Sequence, residues 1–195
     1  MPLWGTTHDS ATNKPKWAPT DENSDYSKGD IYATNSGWVQ QAGTAASGSD
    51  NEDADPEVLV AIGGLAGISA ATGLKTATVT SMRFVQAAYA AGSRTITVEV
   101  TWDEGVTVAG TPQLVVANDS RADHTLSYTA TGSTANRKRF TAASQTVVED
   151  DVLTIGGADI TLNGGTISDT VRGGTAQAAL LVLSGLTAVT STVTA

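Results

Sequence analysis

The residues that could do chemistry here are few. His8 and His124 are the two histidines of a 195-residue chain that has no cysteine. Hydrolysis through a serine or threonine needs a base and an orienting acid placed beside it, and these histidines lie in different parts of the chain. No catalytic residue is expected, and His124 reads as an ordinary strand residue. Gly63-Gly64-Leu65-Ala66-Gly67 has neither the GxGxxG spacing nor a lysine for phosphates, so it reads as a turn. No cofactor is expected.

Cation binding is the second chemistry to weigh. Asp50-Asn51-Glu52-Asp53-Ala54-Asp55 gathers oxygen donors, of which Ca²⁺ takes about six to eight. Counted as an EF-hand loop, however, the run has Asp55 where glycine is required and no glutamate at the closing position. A solvated acidic loop is the competing reading. Glu149-Asp150-Asp151 and Asp103-Glu104 fall at expected strand ends and could form another cation site or plain turns. No metal site is assigned.

The third chemistry is charge recognition. Arg137-Lys138-Arg139 is the one basic cluster, and strand alternation sends Arg137 and Arg139 to one face and Lys138 to the other. The cluster could meet an acidic patch on a neighbouring copy, including its acidic N-terminal part. It could equally guard an exposed edge strand with charge.

The elements that must carry these residues are expected to be β-strands. Aromatic residues make up 5% and charged residues 16% of a sequence crowded with Gly, Ala, Thr and Ser, a profile of short strands joined by tight turns. Ile96, Val98, Val100 and Trp102 alternate with Thr95, Thr97, Glu99 and Thr101, the period of a half-buried strand. Further strands are expected at Val79–Gln86, Gln113–Ala117, His124–Ala130, Arg137–Ala142, Val152–Ile155, Ile160–Leu162 and Ala178–Ala188. Asn118-Asp119, Gly156-Gly157, Asn163-Gly164-Gly165 and Gly173-Gly174 punctuate them as turns. About seven strands at this spacing suggest an antiparallel sandwich over residues 77–195.

Residues 1–57 read differently. They hold 10 acidic and 3 basic residues, carry Pro15, Pro19 and Pro56, and show no sustained period, whereas 58–195 hold 10 acidic and 8 basic residues. An extended acidic arm ordered only on a partner is expected. Trp4, Trp17, Tyr26, Tyr32 and Trp38 lie in this stretch and are candidate pegs for a partner's pockets. For Trp38 the alternative is packing against its own chain. Val58-Leu59-Val60-Ala61-Ile62 reads as a buried strand that docks on a partner, with residues 58–76 forming the connection.

The whole-chain charge of −9 argues against a sequence-independent grip on nucleic acid. The opening Met1-Pro2-Leu3-Trp4-Gly5 lacks a basic start and an apolar run, and no stretch approaches the roughly 20 apolar residues that span a bilayer. A protein made in the cytoplasm, without membrane contact, is expected.

Two resemblances add to this reading. The string from Thr95 through Trp102-Asp103-Glu104-Gly105-Val106 to Gly110-Thr111-Pro112-Gln113-Leu114, with Leu162-Asn163-Gly164-Gly165-Thr166-Ile167-Ser168-Asp169, resembles the bacterial Ig-like repeats of large surface proteins. The resemblance covers most of 77–189 and implies a single Ig-like module, a fold that brings no activity with it. Pro2-Leu3-Trp4-Gly5, Lys14-Pro15-Lys16-Trp17, Tyr32-Ala33-Thr34, Gly37-Trp38-Val39 and 58–64 resemble the start of virion structural proteins from tailed phages of marine cyanobacteria.

Together these imply a mainly β, non-enzymatic virion protein, an extended N-terminal arm joined to an Ig-like antiparallel β-sandwich. The first expectation is a capsid decoration or cement protein whose arm binds the major capsid protein, with neighbouring copies of itself as further partners. The alternative is a neck, tail or baseplate component whose Ig-like domain makes weak contact with a host-surface glycan. A particle-borne glycosidase ranks last, because short turns leave little room for a cleft with paired carboxylates.

Overall fold

A computed structural model describes residues 28–45, 47, 50–66, 74, 76–169 and 176–195. Trp4, Trp17 and Tyr26 lie outside the described residues. Among those described the fold is mainly β and sandwich-like, with no α-helix and only a single 3₁₀ turn at Lys28–Asp30. Among the described residues no helix is long and apolar enough to cross a membrane.

The strands are β1 (Ile31–Thr34), β2 (Gly37–Gln40), β3 (Glu57–Ala61), β4 (Val79–Phe84), β5 (Tyr89–Ala90), β6 (Gly92–Trp102) and β7 (Val106–Ala109). They continue with β8 (Gln113–Asn118), β9 (His124–Thr129), β10 (Arg137–Val147), β11 (Val152–Ile155), β12 (Thr166–Asp169) and β13 (Val189–Thr194). The chain divides into two compact units that do not follow a boundary at residue 77. One comprises 1–80, 102–107 and 168–180, and the other 81–101, 108–167 and 181–195.

In the first unit, β1, β2 and β3 form an antiparallel sheet in that order. The β1–β2 hairpin turns on Asn35-Ser36, with Thr34 opposite Gly37. Gly37 has φ +129°, and a Cβ there would run into the Val60 backbone of β3, so only glycine fits. Ile31, Ala33, Trp38, Leu65, Ala66 and Leu74 form a core against which Leu59, Val60 and Ile62 pack. This corrects the extended-arm expectation for residues 28–45 and 50–57. Alternating apolar residues on two short strands bury enough surface within their own chain to order it. It also corrects the buried strand expected at 58–62, since Val58 is 53% exposed and β3 is a half-buried edge.

The second unit is built on an eight-stranded sheet in the order β4-β6-β10-β9-β8-β11-β13-β5, while β7 and β12 pair separately. Strand β8 joins the two halves of that order. Its residues 113–116 pair with β9, and Ala117 and Asn118 pair with β11. Ile96, Val98, Val100, Leu114, Leu126, Phe140, Leu153 and Ile155 are buried, on the alternation read from the sequence.

Two strand expectations fail. Residues 178–188 form no strand, because their amides go to scattered acceptors. Leu180 donates to the Ala77 carbonyl, Leu183 to Asp159 Oδ1 and Leu186 to the Leu183 carbonyl. Ile160–Leu162 is reduced to one isolated bridge between Gln113 and Thr161. The last strand is instead Val189–Thr194, where Ser191 and Val193 point inward. Strand β10 outruns its expected end at Ala142 because a bulge between Ala142 and Gln145, with Ser144 at φ 56°, lets the ladder resume.

Candidate functional site around Glu99

Strand β6 places Glu99 on the face opposite Val98 and Val100, where sequence alternation expects exposure, yet Glu99 is 1% exposed. Arginines from both neighbouring strands cover it. Arg139 of β10 stands directly opposite in the register, and its Nε donates to Glu99 Oε2 at 3.0 Å. Arg83 of β4 donates from Nε and Nη2 to Oε1 at 3.0 and 2.8 Å. Arg137, opposite Thr101, brings Nη1 to 3.7 Å from Oε1.

Three guanidiniums thus lie against one carboxylate. A carboxylate buried by its own counter-charges avoids most of the penalty of an unpaired buried ion. The arginine side chains remain 30%, 15% and 31% exposed for Arg83, Arg137 and Arg139, so the cluster is held from beneath by Glu99 and only partly covered at Arg83 and Arg139. Planar guanidiniums fixed in this way suit carboxylate or phosphate oxygens. The loop after β9 adds to the fixing. Ser133 Oγ accepts from the Arg139 amide at 2.9 Å, and Gly132, at φ +73°, lies against the Arg139 guanidinium so closely that a Cβ would collide with it.

Lys138 alternates to the other face, as expected, and is thereby lost as a partner-binding residue. It is 7% exposed, donates from Nζ to the Thr134 carbonyl at 2.6 Å, and burial pushes its ammonium down to about 8. Tyr32 and Trp38 are likewise buried, at 4% and 3% exposure, and burial pushes the Tyr32 hydroxyl up to about 12. Their place in the core corrects the reading of Tyr32 as a peg for a partner, and for Trp38 it is the alternative, packing against its own chain, that the structure shows.

The expected cation candidates separate. Asp50, Glu52, Asp53 and Asp55 are exposed on a turn in which Asn51 Oδ1 accepts from the Asp53 amide at 3.0 Å and the Asn51 carbonyl from Ala54 at 3.1 Å. Asp151 is absorbed in a polar network. It accepts from the Val148 amide at 2.9 Å and from Asn118 Nδ2 at 3.1 Å, with Arg121 at 3.5 Å. The Val148 amide, then Asn118 and Arg121, hold its carboxyl below the usual range. His124 belongs to the same network through Gln145 Oε1 at 2.9 Å and Asn118 at 3.4 Å, a strand residue without a nucleophile in these contacts.

Asp103 and Glu104 fall in the first unit, where Asp169 joins them. Asp103 Oδ1 accepts from the Thr78 amide and Asp169 Oδ1 from the Gln177 amide, both at 2.6 Å. Burial, then the Asp103 and Asp169 carboxylates, push Glu104 up to about 8. Among the described residues no three histidine, aspartate or glutamate side chains are grouped to hold a metal.

Sequence reasoning found Arg137 and Arg139 but missed Arg83 and Glu99. The available signal was the strand phase. Glu99 stands among outward threonines, and Arg83 falls in an expected strand, but which strands become neighbours is a matter of topology. Comparison of the chain with protein-family models, with curated proteins and with solved structures finds no match.

Proposed function

We propose that the chain is a structural component of a tailed-phage particle, a capsid decoration protein that binds the head lattice through residues preceding its first sheet and stabilises it. The resemblance of the Trp4, Trp17 and Gly37-Trp38-Val39 motifs to cyanophage virion proteins carries this reading. The mainly β, sandwich-like fold fits a structural component and by itself implies no function.

The burial of Tyr32 and Trp38 narrows the attachment segment to Trp4, Trp17 and Tyr26, upstream of β1. Large rings are suited to this role because each can bury enough surface to offset the roughly 1 to 2 kcal/mol of ordering entropy per fixed residue. Repetition over a lattice multiplies such anchors by avidity. Arg83 and Arg139, partly exposed over Glu99, offer a second contact surface for acidic groups on neighbouring subunits.

Quantitative mass spectrometry of purified particles, before and after tail removal, tests the proposal. Many copies that stay with the heads support a decoration role. Few copies that leave with the tails move the protein to the neck, tail or baseplate, and a glycan array on the full chain then tests host-surface contact. Absence from purified particles overturns the proposal. Deleting residues 1–27, which spares β1 to β3, is expected to abolish particle binding while leaving amide-exchange protection in β1 to β3 in place.

A further inference from the structure

We infer that His124, Asn118 and Asp151 form an acid-released latch that ties the β8–β9 turn to the turn before β11 and opens when the imidazole takes a second proton.

The latch sits where β8 changes partner. Asn118 ends β8 opposite Leu153 of β11, whereas His124 begins β9 opposite Val116. Both are 6% exposed, so their polar atoms are satisfied by each other and by their neighbours. The polarity of each bond follows from backbone groups. Gln145 Nε2 donates to the Ala143 carbonyl at 2.9 Å, so the atom 2.9 Å from His124 Nδ1 is the acceptor Oε1. Asn118 Oδ1 accepts from the Ser120 amide at 3.1 Å, and its Nδ2 donates to Asp151 Oδ2 at 3.1 Å. The same Nδ2 lies 3.4 Å from His124 Nε2. An amide nitrogen cannot accept a hydrogen bond, so Nε2 is the acceptor and the neutral ring carries its hydrogen on Nδ1.

A second ring proton sets two donors face to face at Nε2 and Asn118 Nδ2. Turning the Asn118 amide over brings no relief, because it takes the donor from Asp151 and points Nδ2 at the Ser120 amide. The charged groups around the network decide where the imidazolium goes. Asp123 Oδ1 is held by the Asn118 amide and Asp119 Oδ1 by the Val152 amide. Glu149 and Asp150 are exposed, and Arg94, opposite Gln145 in the register, donates to the Ala90 and Ala91 carbonyls. Asp151, with Arg121 at 3.5 Å, is the carboxylate one hydrogen bond beyond Asn118. Direct pairing of the imidazolium with Asp151 is a charge-assisted bond that expels the amide between them. Asn118 carries the β8 end with it, and the two turns part. The closed latch favours the neutral ring, so it holds at higher pH and is lost as pH falls.

Nuclear magnetic resonance of the full chain, from about pH 8 to about pH 5, tests the latch. At the upper end the ring nitrogen shifts of His124 are expected to place the hydrogen on Nδ1. Two amides bridge the turns, Val152 to Asp119 Oδ1 at 2.9 Å and Asp119 to the Val152 carbonyl at 3.3 Å. Their exchange protection, corrected for the intrinsic effect of pH, is expected to fall about tenfold or more as the ring is protonated, while the amides of β6 and β10 keep theirs. His124→Gln, which does not titrate, should hold its protection across the range. If that variant fails to fold, Asn118→Ala removes the opposing donor and should abolish the acid-dependent fall. A hydrogen on Nε2 at the upper end, protection that acid leaves unchanged in the wild-type chain, or the same fall in His124→Gln overturns the inference.

Discussion

Arg139 and Glu99 stand opposite each other in the β6–β10 register, with Arg139 Nε 3.0 Å from Glu99 Oε2, and this pair holds a carboxylate beneath a sheet face that alternation alone would leave open. Removing one partner of a buried, hydrogen-bonded pair is more damaging than never having had it. Glu99→Gln keeps the shape but leaves three guanidiniums facing each other. It is expected to destabilise the protein by roughly 2 to 4 kcal/mol in urea unfolding, discounted from fully buried pairs because the arginines are partly exposed. Arg83→Gln should cost less, since two arginines remain on Glu99.

Gly132 is tied to the same cluster by backbone geometry. An alanine there must adopt φ +73° and push its Cβ into the Arg139 guanidinium. Gly132→Ala is expected to lower stability by about 1 to 2 kcal/mol, and Gly132→Ala in an Arg139→Ala background by less, because the collision is then gone. A double-mutant cycle by thermal unfolding measures the difference.

Trp38 occupies the core of the small sheet at 3% exposure. Trp38→Ala is expected to cost about 3 to 5 kcal/mol in that unit and to reduce amide-exchange protection in β1, β2 and β3. The contrary result, a Trp38→Ala chain with unchanged protection, would return residues 28–57 to an extended arm.

Glu104 and Lys138 give stability opposite slopes with pH. Glu104 is raised from 4.5 to about 8, so between those values the folded state keeps a proton that the unfolded state has lost, and stability falls as pH rises. Lys138 is lowered from 10.5 to about 8, so above 8 the unfolded state holds the extra proton and stability rises with pH. A minimum near pH 8 is expected in urea unfolding followed across pH. Glu104→Gln should flatten the acid-side limb and Lys138→Met the alkaline limb, each limb being limited to about 1.4 kcal/mol per pH unit for one proton.

Much of the fold was legible because strand alternation is a local property. Ile96, Val98 and Val100 bury on the expected face, and Val152–Ile155 is a strand with the expected bounds. The stretch 178–188 was misread because its apolar residues carry strand-like propensity, while the partners that its amides reach are distant in sequence. The arm was misread because eight strand residues, 31–34 and 37–40, are too few for a period to show against a polar, acidic background.

By itself the sequence determined the mainly β class, the inward set of β6 and the split of Arg137 and Arg139 from Lys138, because each follows from side-chain alternation along one strand. Only the tertiary structure decided that Glu99 is buried, that Arg83 completes its cover, and that Asp169 rather than Asp151 joins Asp103 and Glu104. Those relationships depend on which strands lie side by side, and strand order is fixed by contacts between residues far apart in the chain, which no local pattern encodes.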